Sequence, residues 1–149
     1  MISIIIPTYN EEKLLPKLLD SIKQQTYRDY EVIVADAASR DRTREVAEVW
    51  GARVVEGGTP ARGRNAGART ARGQFLLFLD ADVILPQNFL RAALSEFNEH
   101  YLEIATPTLF PISDLNIDQM IFFFANLLIE STQDFYSFAP GAGNLVTRR

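Results

Sequence analysis

The stretch Gln74-Phe75-Leu76-Leu77-Phe78-Leu79-Asp80-Ala81-Asp82 decides the architecture. Five apolar residues follow one another without alternation and stop on two carboxylates. A run of that kind suits a strand buried on both faces, as in parallel sheets covered by helices. Working outward, the same pattern recurs in Ile2–Ile6, apolar apart from Ser3, in Glu31-Val32-Ile33-Val34-Ala35-Asp36, and in Arg53-Val54-Val55. Helical patterns fill the gaps. Leu14, Leu15, Leu18, Leu19 and Ile22 recur at helical spacing, with Pro16 near the start. Pro7 and Asn10 are expected to end the first strand, and Asn10 to cap that helix, with Glu11 and Glu12 at its positive end. Asp41 to Trp50 is a second helix, stopped by Gly51. Thr59-Pro60 opens a third, Ala61 to Arg72, with Gly73 expected as its C-terminal cap. Gln87 to Asn98 is a fourth. The alternation predicts an α/β chain, Rossmann-like, with a mostly parallel sheet, flanking helices and right-handed crossovers.

The last third breaks the rhythm. Leu102 to Thr106 is a candidate strand, Asp114 to Glu130 a candidate helix with a wide apolar face, and Asn144 to Thr147 a candidate final strand. Gly141-Ala142-Gly143 before it admits either the close approach of an acceptor or a tight turn. The Phe122-Phe123-Phe124 run reads as core or interface.

The 149 residues correspond to one domain, able to bury roughly 70% of its unfolded surface without disulfides or a structural metal. With no cysteine, a disulfide scaffold, a zinc-thiolate site, an iron–sulfur cluster and a cysteine nucleophile are excluded. His100 is the single histidine and reads as a surface or structural residue. Net charge is −4, unevenly spread: residues 40–72 hold eight arginines against four acids, and residues 73–149 three arginines against nine acids. The arginines suit an anionic substrate, or a solvated helix face, and their interleaving with acids speaks against nucleic acid as a partner. Met1 leads directly into an apolar strand, without the basic start of a secretory signal. The apolar stretch Gln119 to Ile129 is about half of what a transmembrane helix needs. The expectation is a cytoplasmic protein, or one resting peripherally on a membrane.

Ligands of open parallel sheets bind beyond the carboxyl ends of strands, near the switch in strand order. Pro7-Thr8-Tyr9-Asn10-Glu11, Asp36 and Asp80-Ala81-Asp82 occupy those ends. On an extended chain Asp80 and Asp82 point the same way. Paired carboxylates repel, and hard oxygen ligands resolve this by holding Mg²⁺ or Mn²⁺. The plainer alternative is a turn with two solvated aspartates. Asp36 suits hydrogen bonding to a base or ribose, or a loop cap. Tyr9 suits stacking on a base, or covering the crevice edge. Arg62 and Arg64, flanking Gly63, can reach a diphosphate or lie on the surface.

In order, Ser3-Ile4-Ile5-Ile6-Pro7-Thr8-Tyr9-Asn10-Glu11-Glu12, Leu19-Asp20-Ser21-Ile22, Gln25-Thr26, Tyr30–Asp36, Ser39, Asp41 and Thr43, Arg64-Asn65-Ala66-Gly67, Ala71-Arg72-Gly73 and Phe78–Asp82 resemble family 2 glycosyltransferases, inverting nucleotide-sugar enzymes of the GT-A fold. Coverage is good from residue 2 to about residue 98. The resemblance implies a single GT-A domain over 1–149, with residues 1–98 as the nucleotide-sugar-binding half and 99–149 as part of the acceptor side. It implies metal-dependent transfer of a sugar, with inversion, from a nucleotide-diphosphate sugar to an acceptor hydroxyl. UDP is the commonest donor nucleotide of that family, with GDP and dTDP as alternatives. Pro7, Tyr9, Glu11 and Asp36 would hold the nucleoside. Arg64, with Arg62, would hold the nucleotide. Asp80 would meet the ribose or metal, and Asp82 the metal at the diphosphate. The acceptor is open, lipid-linked or polysaccharide, and the Ile121–Ile129 stretch suits a lipid-linked acceptor, membrane contact or a homodimer.

Two departures follow. Ala37 stands where the family often has a second acid. The family's catalytic base lies beyond a strand resembling Asn144–Arg149, where this chain ends, so no base is assigned. The expectation is a shortened chain that binds donor and transfers sugar poorly, with a non-catalytic nucleotide-sugar-binding or interaction module as the alternative. Phe78–Val83 also resembles the nucleophile motif of haloacid-dehalogenase-type phosphatases. That family needs a downstream lysine, whereas Lys13, Lys17 and Lys23 all lie upstream. A dinucleotide-binding dehydrogenase would need G-x-G-x-x-G after the first strand, where Pro7-Thr8-Tyr9-Asn10 stands.

Overall fold

A computed structural model of the chain describes residues 1–100, 103–105, 107, 110, 115–132 and 143–148. The elements are β1 (Ile2–Thr8), α1 (Leu15–Lys23), β2 (Tyr30–Asp36), α2 (Thr43–Val49), β3 (Arg53–Glu56), α3 (Pro60–Thr70), β4 (Phe75–Phe78), α4 (Phe89–Glu99), β5 (Ile104–Ala105), α5 (Asn116–Thr132) and β6 (Leu145–Thr147). They build a sheet in the order β3-β2-β1-β4-β6-β5. β1 to β4 are parallel; β6 runs antiparallel to both β4 and β5. The expected Rossmann-like, mostly parallel α/β architecture is present.

β1 lies between β2 and β4, and its two faces are covered by different helices. Ile2, Ile4 and Ile6 pack with Leu15, Leu18, Leu19 and Ile22 of α1, Ala47 of α2 and Leu90 and Phe97 of α4. Ile5 faces the other way, with Ile33, Leu76 and α3. Burial on both faces is why the strand's sequence does not alternate. α3 can lie close to β1 because Gly67 is turned toward it. A Cβ there would come within 2.4 Å of Ile5 Cγ2. This close seat carries Arg64 to the carboxyl edge of the sheet.

Several sequence expectations need correction. β1 does not stop before Pro7 but continues to Thr8, with Pro7 in register with Ala35. The Ile5 carbonyl accepts from Leu79 N, so alternate residues of β1, Pro7 included, turn their backbone toward β4. β4 has ended at Phe78, so no ladder bond is lost to the missing N–H. Asn10 caps no helix. α1 starts at Leu15 after a turn in which Leu14 N and Leu15 N both donate to the Glu11 carbonyl. Pro16 then falls in the first helical turn, where a missing N–H costs nothing. Gly73 is not the cap of α3, which ends on extended Ala71. Gly73 is needed instead for close approach, since its added Cβ would sit 2.7 Å from Ser3 N. β4 stops short of Asp80, and Val83 N donates to the Asp80 carbonyl in a turn.

In the last third, β5, α5 and β6 match three expected elements. Gly141-Ala142, Asp114 and the outer residues of the Leu102–Thr106 strand lie outside the described residues. Among the described residues no helix is long and apolar enough to cross a membrane.

Candidate functional site

Strand order reverses at β1: the chain first builds β2 and β3 on one side, then crosses to place β4 on the other. A cleft of about 340 Å³ opens at that switch, beyond the carboxyl ends of β1 and β4. It is lined by Pro7, Thr8, Tyr9 and Glu11 after β1, by Gly58, Pro60 and Arg64 around the start of α3, and by Asp80, Ala81 and Asp82 after β4. Three segments distant in sequence thus meet at the point where open sheets bind ligands.

Of the residues singled out from the sequence, Pro7, Tyr9, Glu11, Arg64, Asp80 and Asp82 share this cleft. Their grouping survives although its expected geometry does not: the two aspartates converge through a turn rather than through strand alternation. Arg64 Nη2 donates to Asp80 Oδ1 at 2.6 Å. Arg64 Nε is buried and has no partner among the described residues. That N–H can be satisfied by an acceptor arriving in the cleft. Burial pushes the Glu11 carboxyl above its ordinary value, and the charges of Asp82 and Asp41 add to this. The acids crowd one another, and α3 turns the positive end of its dipole toward the same space.

Asp36 and Arg62 are not in the lining. Asp36 is fully buried behind Thr8. Its carboxylate accepts from Ser39 N at 3.1 Å and from the hydroxyls of Ser39 at 2.5 Å and Thr8 at 3.4 Å, and pairs with Arg44 at 3.4 Å. Arg62 is exposed in the first turn of α3, where its N–H donates to the Thr59 hydroxyl. His100 ends α4 on the surface, 3.4 Å from Glu96. Thr8 and Ala81 stand where the strand-end reading expects them, whereas Gly58 and Pro60 are additions to the wall. Gly58, at φ +135°, is the one whose residue type signals its place, because few other residues adopt that backbone.

Asp80, Asp82 and Glu11 offer hard oxygen donors of the kind Mg²⁺ and Mn²⁺ take, and a cation among them would relieve the repulsion that adds to burial in raising the Glu11 carboxyl. Among the described residues no group of three or more acids or histidines converges tightly enough to cage an ion alone. The residues fit an ion that completes its shell with phosphate oxygens and water.

A larger cleft, about 520 Å³, lies at the opposite end of the sheet, beside Tyr30 and Arg53, the first residues of β2 and β3. Its one carboxylate among the described residues, Glu31, is already engaged by the Ser3 hydroxyl, Arg72 N and Arg53. The convergent acids are in the smaller cleft, and size does not outweigh them.

Fold and cleft together define a GT-A type α/β domain with an acid–arginine site at its switch point. The chain belongs to glycosyl transferase family 2, whose family model matches residues 3–134. It is 28% identical over 130 residues to poly(ribitol-phosphate) beta-N-acetylglucosaminyltransferase TarS of Staphylococcus aureus, a match covering 80% of this chain and 23% of that protein. The crystal structure of TarS 1–349 in complex with UDP-GlcNAc superposes with a TM-score of 0.71 at 29% identity, over 77% of this chain and 36% of that one. Mannosyltransferase PcManGT from Pyrobaculum calidifontis, in complex with GDP-Man and Mn²⁺, gives a TM-score of 0.77 over 99% of this chain and 44% of that one. At 24% identity this second likeness concerns the fold alone. The chain thus spans about a quarter of the length of TarS and no more than about a third of other curated relatives it matches.

Proposed function

We propose that this domain binds a nucleotide-diphosphate sugar with a divalent cation and serves metal-dependent, inverting transfer of the sugar to an acceptor hydroxyl. The observation that carries the reading is the convergence of Asp80, Asp82, Glu11 and Arg64 in the cleft between β1 and β4. TarS and PcManGT, which share the fold, bind UDP-GlcNAc and GDP-Man, and PcManGT does so with Mn²⁺. These support the donor class without choosing among UDP, GDP and dTDP, or between Mg²⁺ and Mn²⁺.

In this reading Tyr9 covers the nucleoside and Pro7 and Glu11 shape its wall. Asp36 acts from behind, through Thr8, and Arg62 flanks the entrance. Asp80 is oriented by Arg64 toward the ribose or the ion, and Asp82 meets the ion at the diphosphate. The bound cation would neutralise charge developing on the departing nucleoside diphosphate. Arg64 uses its unpartnered Nε–H on a phosphate oxygen and holds Asp80 from drifting. No residue is assigned as the base that takes the acceptor's proton. The acceptor, lipid-linked or polysaccharide, would approach from the β6 and α5 side, where a second copy or a membrane surface would also meet the chain.

The reading is tested by thermal melting with UDP, GDP and dTDP, each with and without Mn²⁺. A ligand at 100 times its dissociation constant adds about 2.7 kcal/mol to folded-state stability. The expected result is a rise in melting temperature for at least one nucleotide that needs Mn²⁺. No rise with any of the three, at millimolar concentration, would overturn it.

A further inference from the structure

The wall formed by Tyr9 to Glu12 is held by a neighbouring loop, and the bonds are reciprocal. Asn10 (φ 57°) and Ala38 (φ 58°) both take the left-handed backbone that few non-glycine residues adopt, turning the segments after β1 and β2 toward each other. Asn10 N donates to Ser39 Oγ at 2.9 Å, and Arg40 N donates back to Asn10 Oδ1 at 2.8 Å. Glu11 N donates to Thr43 Oγ1 at 2.8 Å. Glu12 N donates to Asp41 Oδ2 at 3.1 Å, and Arg42 N returns a bond to Glu12 Oε2 at 3.1 Å. Three successive amides are therefore captured by three side chains spaced two residues apart. Those side chains are linked in turn: the Thr43 hydroxyl donates to Asp41 Oδ1, and the Ser39 hydroxyl to Asp36 Oδ1. Ser39, Asp41 and Thr43 all lie outside the cleft lining, whereas Tyr9 and Glu11, between and beside the captured amides, lie in it.

We propose that Ser39, Asp41 and Thr43 are positioning residues: a clasp that sets Tyr9 and Glu11 in the donor cleft, so that nucleotide affinity depends on groups outside it. This rests on the nucleotide-sugar reading of the cleft. The central member is Thr43, which is fully buried. Its hydroxyl is at once the acceptor for Glu11 N and the donor to Asp41, so no isosteric apolar side chain can replace it. Asp41 uses both oxygens as acceptors, Oδ1 for Thr43 N and its hydroxyl and Oδ2 for Glu12 N. An amide, with one acceptor oxygen and an NH₂ group that can only donate, must drop part of the set.

The experiment measures binding of Mn²⁺ with the nucleoside diphosphate, among UDP, GDP and dTDP, that most raises the melting temperature of the unaltered protein. Amide hydrogen exchange at Glu11 and Glu12 is followed in the same samples. Thr43→Val should weaken binding by about tenfold, the effect of stranding one buried amide and freeing the loop, and speed exchange at Glu11. Thr43→Ser, which keeps the hydroxyl, should bind within about twofold of the unaltered protein. Phe97→Leu, a core change far from the loops, should lower the melting temperature without altering affinity. Should Thr43→Val not fold, Asp41→Asn carries the test, with several-fold weaker binding and faster exchange at Glu12. Unchanged affinity in the folded clasp variants, failure of Thr43→Ser to rescue, or equal weakening by Phe97→Leu would overturn the clasp. Absence of binding to the unaltered protein would overturn the functional reading itself, and the clasp with it.

Discussion

Residues 2–99 and the described residues from Glu103 onward handle apolar surface in opposite ways. In the first region β1 is enclosed by two parallel neighbours and by helices on both faces, and Ile2, Ile4, Ile5 and Ile6 have no exposure at all. In the second, α5 leaves Ile117, Met120, Ile121, Phe123, Phe124 and Leu127 between 49% and 63% exposed. The second region joins the first through β6, which lies antiparallel on β4 and is pinned by Gly143 N to the Phe78 carbonyl at 2.7 Å and Arg148 N to the Gln74 carbonyl at 2.9 Å. Every described residue lining the cleft between β1 and β4 comes from the first region. The contrast teaches that the site is held by the parallel core, and that α5 contributes little to what keeps the cleft in shape.

Truncating the core should produce the largest effect. Ile4→Ala removes buried atoms from the central strand and should cost about 2–5 kcal/mol in denaturant unfolding. A loss well under about 1 kcal/mol would break the contrast at its strongest point. Gln25→Leu comes next. Gln25 is fully buried, donates through Nε2 to the carbonyls of Ser21 and Pro86, and accepts from Leu90 N. It ties α1 to the far end of the segment that carries Asp82. Stranding those groups should cost about 1–3 kcal/mol, measured the same way.

A pH effect should follow. Burial works to raise the Glu31 carboxyl, but bonds from the Ser3 hydroxyl and Arg72 N, with the charges of Arg53 and Arg72, outweigh it and hold the group below its ordinary value of 4.5. The folded state therefore favours the carboxylate. Its contribution is present above the ordinary value and disappears as pH falls through the lower, folded one. Unfolding free energy measured downward from about pH 6 should decline, and Glu31→Gln should flatten that part of the decline. Equal slopes for the two proteins would contradict the assignment. The smallest effect is expected on α5: Ile121→Ala should change stability by no more than about 0.5 kcal/mol. A cost comparable with Ile4→Ala would show that α5 is packed after all.

The parallel core was legible because burial on both faces leaves continuous apolar runs, and the cleft residues because polar groups at the carboxyl ends of such strands have one place to converge. What escaped depends on partners that local pattern does not carry. Asn10 suits a helix cap by sequence because asparagine serves equally as a cap and as a left-handed joint; only Ser39 and Arg40 across the seam decide between them. Asp36 ends an apolar strand as expected, yet its carboxylate is consumed by Ser39, Thr8 and Arg44. Leu145-Val146-Thr147 reads as a strand in either direction, and only its register against Phe75-Leu76-Leu77 makes it antiparallel. Gly73 suits a helix end by its place in the sequence, whereas Ser3, seventy positions earlier, is what leaves no room for a side chain there.

In the proposed function, Asp80 and Asp82 hold a divalent ion against a diphosphate oriented by Arg64. The most direct test is electron paramagnetic resonance of Mn²⁺ titrated into the protein with and without the preferred nucleoside diphosphate, for the unaltered chain and for Asp82→Asn. The account expects the free Mn²⁺ signal to fall further when protein and nucleotide are both present than with either alone, and Asp82→Asn to abolish that cooperative loss. Mn²⁺ uptake that is the same with and without Asp82 would contradict it.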